Sequence, residues 1–127
     1  MEPNEALVEL IDLSSQIEDV AILGESGFVL ASSGTAERGE QLARVAADLA
    51  AAAADVRPAT EVTRVEVTGA DVNLFLVRDA GRTAIATTGP EPVAGLIVYD
   101  LRTMLGRLDA PAARRPSRKK KKDATDA

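Results

Sequence analysis

Apolar residues recur every three or four positions across residues 4–17. Leu7, Leu10, Ile11 and Ile17 form a stripe that Val8 and Leu13 widen, while Glu5, Glu9, Asp12 and Gln16 face the other way. This spacing predicts an amphipathic helix, with Asn4 as its N-cap and Glu5 complementing the positive end of its dipole. The period then shortens. Residues 20–24 (VAILG) and 28–32 (FVLAS) are β-prone runs separated by Glu25-Ser26-Gly27, where glycine supplies the positive φ of a tight turn, so a hairpin is expected. Ser33-Gly34-Thr35 breaks the chain, and Thr35 is placed to cap a long helix from about Ala36 to Val56. Leu42, Val45, Leu49 and Val56, with Ala46, Ala52 and Ala53 between them, form its narrow apolar seam. Arg44, Asp48 and Asp55 lie on the opposite face with Ala43, Ala47, Ala51 and Ala54.

Pro58 ends that helix, because its ring forbids continued helical hydrogen bonding and pushes the preceding residue toward extended geometry. Three strand-like segments follow at residues 60–68, 72–78 and 82–88; the second is apolar enough to be central and the third is shorter than the first. Their connections, Gly69-Ala70-Asp71 and Asp79-Ala80-Gly81, have the composition of hairpin turns and predict an antiparallel meander. Gly89-Pro90-Glu91-Pro92 opens a last helix carrying Val93, Leu96, Ile97, Leu101, Met104, Leu105 and Leu108 at helical spacing, with Arg102 and Arg107 toward its negative end. The order is α-β-β-α-β-β-β-α: an α+β domain over residues 1–109 with one five-stranded antiparallel sheet. Residues 110–127 lack apolar periodicity and are expected to form a disordered tail.

Composition narrows the chemistry. The chain of 127 residues has no His, Cys or Trp, which excludes a thiol nucleophile, a disulfide framework and any His-based relay, and makes a zinc site untenable. Two Phe and one Tyr leave almost nothing on which nucleobases could stack. Charge is unevenly spread. The net −5 conceals an acidic body and a tail bearing Arg114, Arg115, Arg118, Lys119, Lys120, Lys121 and Lys122. The acidic N-terminus does not look like a secretory signal, and no apolar run approaches the roughly 20 residues of a membrane span, so the cytoplasm is the expected compartment.

The element order, the hairpin of residues 20–32, the Ala-rich helix after it and Leu74-Phe75-Leu76-Val77 together resemble the roadblock family, the dynein light chain type whose bacterial relatives accompany small Ras-like GTPases. The likeness spans roughly residues 4–108 and is a pattern of hydrophobicity and turns rather than a catalytic signature. Where family members commonly place Asp-Gly at the hairpin tip, this chain has Ser26-Gly27, and the tail from Ala110 has no counterpart. The resemblance implies a roadblock/profilin-like sandwich with helices on both sheet faces. It also implies a dimer in which the third strands pair and the second helices lie side by side, through Val45, Leu49, Ala52, Ala53, Arg64, Val65, Glu66 and Val67. Independently, Arg64-Val65-Glu66-Val67 reads as an edge strand whose antiparallel self-pairing could place Arg64 near the partner's Glu66. The alanines of the helix either allow close approach of two backbones or simply maximise helix propensity.

No Gly-x-x-x-x-Gly-Lys loop occurs, and Gly24-x-x-Gly27 reads as a turn rather than a phosphate cradle. Without His, a serine could be activated only by Lys, and every Lys lies in the tail. Glu18-Asp19 and Glu37/Glu40 fall at turns and helix starts, where capping and solvation are the usual roles. No enzyme activity, cofactor or metal is expected. Arg38, Arg44 and Asp48 are the candidates facing a GTPase; Arg44 can instead pair with Asp48 at i+4, which favours a surface ion pair over an arginine finger. The expected function is a dimeric module that binds a small Ras-like GTPase and modulates its nucleotide cycle or localisation. The alternative is a structural adaptor whose basic tail tethers a polyanion, a contact that salt would weaken.

Overall fold

The computed structural model describes residues 1–56, 58, 59 and 61–109. The elements follow the expected order: α1 (Pro3–Leu13), β1 (Ile17–Leu23), β2 (Val29–Ser32), α2 (Ala36–Val56), β3 (Arg64–Thr68), β4 (Asn73–Asp79), β5 (Arg82–Thr88) and α3 (Ala94–Gly106). The five strands make one antiparallel sheet in the order β2-β1-β5-β4-β3. The basic segment 110–127 and Thr60, the expected start of the third strand, lie outside the described residues.

The chain enters α1 earlier than its apolar stripe indicates. Glu2 rather than Asn4 is the N-cap, Pro3 occupies the first turn, and the Glu5 carboxylate accepts a bond from the Glu2 amide at 3.0 Å. The helix stops at Leu13, so Ile17 begins β1 instead of ending α1. Only Ala6, Leu7 and Leu10 are fully buried on α1; Val8 and Leu13, which widen the stripe in sequence, are exposed. The first hairpin turns at Gly27 with φ +88°, as its composition requires, but Phe28 stays outside β2 and exposed. At the head of α2 the Arg38 amide donates to Thr35 Oγ1 at 3.1 Å, the expected cap.

Successive strand residues face opposite sides of the sheet, and the core is accordingly divided in two. Val20, Ile22, Phe75, Val77, Ala84 and Ala86 pack against Leu7 and Leu10 of α1 and Ile97, Leu101, Met104 and Leu105 of α3. On the other face Ala21, Leu23, Leu76 and Ile85 meet Leu42 and Ala46 of α2 alone. Two helices thus cover one face and one covers the other.

The sheet centre is β5, whose seven residues are all buried, rather than the more apolar β4 beside it. Four of those seven are polar, and each has a partner. Thr88 donates to the Gly89 carbonyl, Thr87 to Asp19, Arg82 to the Asp109 carbonyl, and Thr83 accepts from Arg78. Satisfied in this way, polar side chains occupy a central strand without the usual penalty. Among the described residues, no helix is long and apolar enough to cross a membrane.

One buried group is left over. The Ser14 hydroxyl, at the C-cap of α1, has no hydrogen-bond partner among the described residues. Removing an unsatisfied buried hydroxyl relieves its desolvation, so Ser14→Ala is expected to stabilise the fold by about 0.5–1.5 kcal/mol in urea unfolding. A variant less stable than the parent would show that the hydroxyl is bonded after all.

Candidate functional site

The outer strand β3 is hydrogen-bonded on one side only, to β4, in the register Arg64↔Val77, Val65↔Leu76, Glu66↔Phe75, Val67↔Leu74 and Thr68↔Asn73. No other described segment pairs with its second side, which leaves a row of backbone donors and acceptors open. Alternation places Val65 and Val67 on the α2 side of the sheet and Arg64 and Glu66 on the other. Val65 is half-buried against the α2-side core, while Val67 is 38% exposed. Arg64 Nε lies 3.0 Å from Glu66 Oε2 within the same strand. The charges that the sequence suggests pairing across a dimer are therefore already paired within one copy.

Beside this edge runs one flank of α2. Val45, Leu49 and Ala53 are half-buried, and Val45 and Leu49 join the cluster that includes Val65 and Leu74. Ala52 and Val56, placed in the apolar seam by their spacing, are exposed, Val56 at 84%. The seam thus turns off the protein's own core along its last two turns. Leu74 belongs to the same surface and is missing from the residues singled out in the sequence. Continuing the alternation back from buried Leu76 would have found it, because Leu74 lies opposite Val67 in the register.

Of the three residues expected to face a partner, Arg38 and Arg44 border one open pocket at the first turns of α2, and Asp48 does not. Arg38 is tied down: its Nε and Nη2 donate to Asp19 Oδ2 at 3.2 and 3.1 Å, and its Nη1 to Gln41 Oε1 at 2.8 Å. Asp19 is itself held by Thr87, whose Oγ1 accepts from the Asp19 amide at 3.2 Å. Arg44 and Asp48 are exposed on α2 and form no ion pair with one another; the ion pair of this helix runs from Arg38 to β1 instead. Arg38 is thereby committed to fixing α2 on the sheet, and Arg44 is the guanidinium of this helix with its donors open to solvent. Among the described residues, no group of three or more acidic side chains is arranged to hold a metal ion.

This difference is measurable. A half-exposed ion pair with several charge-assisted bonds is worth on the order of 1 kcal/mol, so Arg38→Ala is expected to lose about that much stability in chemical denaturation, while Arg44→Ala changes it by less than about 0.5 kcal/mol. Equal effects of the two substitutions would contradict the assigned roles.

Neither a protein-family model nor a curated relative matches the sequence significantly. Solved structures do match the fold. A Roadblock/LC7 domain from Streptomyces avermitilis superposes with a TM-score of 0.72 at 18% identity, covering 84% of this chain and 93% of that one. MglB of Myxococcus xanthus gives a TM-score of 0.66 at 17% identity, with 80% of each chain covered. A further MglB structure, in a tetrameric arrangement, gives 0.54 at 17% identity over 81% of this chain and 79% of that one. With the same element order, a five-stranded antiparallel sheet and helices on both faces, this chain has the roadblock fold.

Proposed function

We propose that this protein is a non-enzymatic homodimeric module that binds a small Ras-like GTPase and modulates its nucleotide cycle or its placement. The observation that carries the reading is the open side of β3 lying beside the half-covered flank of α2. Pairing two β3 strands about a two-fold axis satisfies the open backbone groups of both, and joins two sheets into one of ten strands. The same axis brings Val45, Leu49, Ala52 and Val56 of one α2 toward their counterparts and removes Val67 and Leu74 from water. A register centred on Val65 sets Arg64 opposite the partner's Glu66, so the pair now closed within one strand extends into a four-charge cluster across the seam.

The resulting platform presents two α2 helices side by side with Arg44 and Asp48 on their outer faces. Recognition of a GTPase follows from the roadblock resemblance and the shared fold; the chemistry of the chain agrees with a regulator that holds no reactive group. It has no His or Cys, all its Lys lie beyond Asp109, and Arg38 is engaged by Asp19. Any effect on hydrolysis or exchange would arise from differential contacts with the two conformations of the GTPase switch segments.

Val67→Asp tests the seam, because it places a carboxylate on the apolar surface that pairing removes from water, at a position 38% exposed in the monomer. The parent is expected to scatter light as a dimer across protein concentration and to capture a Ras-like GTPase with a preference between GTP- and GDP-loaded forms. The variant should fall to monomer mass with its thermal unfolding retained and lose at least about tenfold in GTPase affinity. A parent that is monomeric, a variant dimer as tight as the parent, or indifference to every small GTPase of the cell would overturn the reading.

A further inference from the structure

The opposite flank of α2 borders a groove of about 830 Å³. One wall is made of alanines, among them Ala43, Ala47 and Ala51; the other consists of the β1–β2 and β4–β5 hairpin tips. Its rim carries the carboxylates of Glu25, Glu40, Glu61 and Asp79, together with the guanidiniums of Arg44 and Arg78. All six side chains are exposed, and among the described residues none is in an ion pair. A shallow, smooth trough with a surplus of unneutralised acids suits an extended basic segment: the alanine wall admits aliphatic stems while the rim receives their charged heads.

The chain supplies such a segment, and its last described residue, Asp109, is held at the same end of the sheet as the groove. Arg82 donates through Nη2 to the Asp109 carbonyl, and the Asp109 amide donates to the Met1 carbonyl at 3.1 Å. Arg82 directly follows Gly81, which lines the groove at the β4–β5 tip. Arg82 shares the Ala84 and Ala86 side of the sheet, so Asp109 lies at the β4–β5 end on the α1 and α3 face, across the hairpin tip from the groove. From Asp109 to Arg114 is five peptide steps, at most ~18 Å of extended chain, enough to round the tip. The stretch from Arg114 to Lys122 holds seven cations and no acid, whereas residues 1–109 hold eight Arg and 18 Asp or Glu.

We infer that residues 114–122 dock in cis along the alanine-walled groove between α2 and the two hairpin tips, their cations meeting Glu25, Glu40, Glu61 and Asp79. The docked segment covers Arg44 and leaves the Val45, Leu49 and Val67 seam free, because groove and seam lie on opposite flanks of α2. The inference stands independently of the GTPase reading and of the dimer. Where a GTPase does approach the outer face of α2, the segment competes with it for the same surface.

The chain contains no native cysteine, so Ser117→Cys gives the full-length protein a unique attachment point for a nitroxide spin label. Amide intensities of the isotopically labelled protein then report which residues the tail approaches. At low ionic strength, where the Debye length exceeds about 10 Å, Ser26, Ala47 and Ala80 are expected to lose about half or more of their intensity, while Ala70 and Glu91 at the far end of the sheet keep theirs. At about 1 M salt, where that length falls to about 3 Å, the loss should disappear. Combining Glu25→Gln, Glu40→Gln, Glu61→Gln and Asp79→Asn should abolish it at low salt as well. Even attenuation over all acidic surfaces, no attenuation at the groove, or an effect unchanged by those four substitutions would overturn the inference. So would attenuation that appears in full when labelled, spin-free protein is mixed with unlabelled, spin-bearing protein, since that places the segment on another copy.

Discussion

A single helix is too narrow to cover one face of a five-stranded sheet, and the rest of this molecule follows from that mismatch. Strands about 4.8 Å apart put the outer two axes ~19 Å from one another, against a helix about 10 Å wide. On the α1 and α3 side two helices meet the requirement. On the other side α2 must choose a position, and two interactions fix it over the β2 and β1 half. Gly39 lies so near β2 that a Cβ there would stand 2.6 Å from Ser32 Oγ, and Arg38 reaches down to Asp19 of β1. Drawn to that half, α2 leaves Val65 and Leu74 half-buried and Val67 more exposed, beside the edge strand whose register is free of a bulge.

The two edges are managed differently. At β2 the strand is four residues long and its register with β1 shifts between Ile22 and Leu23, so Leu30 bulges out of the ladder. Shortness and irregularity of this kind discourage further pairing. At β3 the register is unbroken over five residues, and the outward charges of Arg64 and Glu66 neutralise each other. An edge whose charges are balanced internally does not repel a copy of itself. This asymmetry, more than the apolar content of β3, distinguishes a pairing edge from a protected one.

Element order, the three hairpins and the bounds of α2 were legible in the sequence because they depend on local chemistry: the cap at Thr35, Gly27 in the left-handed region, Pro58 after the last helical turn. The end of α1 was not. Ile17 continues the helical stripe, yet pairing with Thr88 draws it into β1, a long-range contact that no local period records. The centrality of β5 was hidden for a related reason. Arg82, Thr83, Thr87 and Thr88 look like surface residues until each is seen with its partner, and three of those partners lie on other elements or just after α3. The candidate surface was half visible. Val45, Leu49 and Val65 do meet, whereas the bond from Arg38 to an acid 19 positions earlier is a contact that no local period records.

The alanines of α2 resolve into separate roles by position. Ala46 is buried against Leu23, Leu76 and Ile85 of the sheet, where a larger side chain would lift the helix off the half of the face it does cover. Ala47, Ala51 and Ala54 are exposed and touch no core, so there helix propensity is sufficient reason for them. That choice has a second effect. Ordering a Lys, Glu or Gln side chain costs up to about 2 kcal/mol of rotamer entropy, and ordering an alanine costs none. A helix with alanine on both flanks can therefore be covered from either side at little entropic expense, by a second α2 across the seam or by a basic segment along the groove. The narrowness that leaves the sheet half covered is offset by a helix whose remaining surface is inexpensive to bury, and both proposed contacts use that property on opposite sides of the same element.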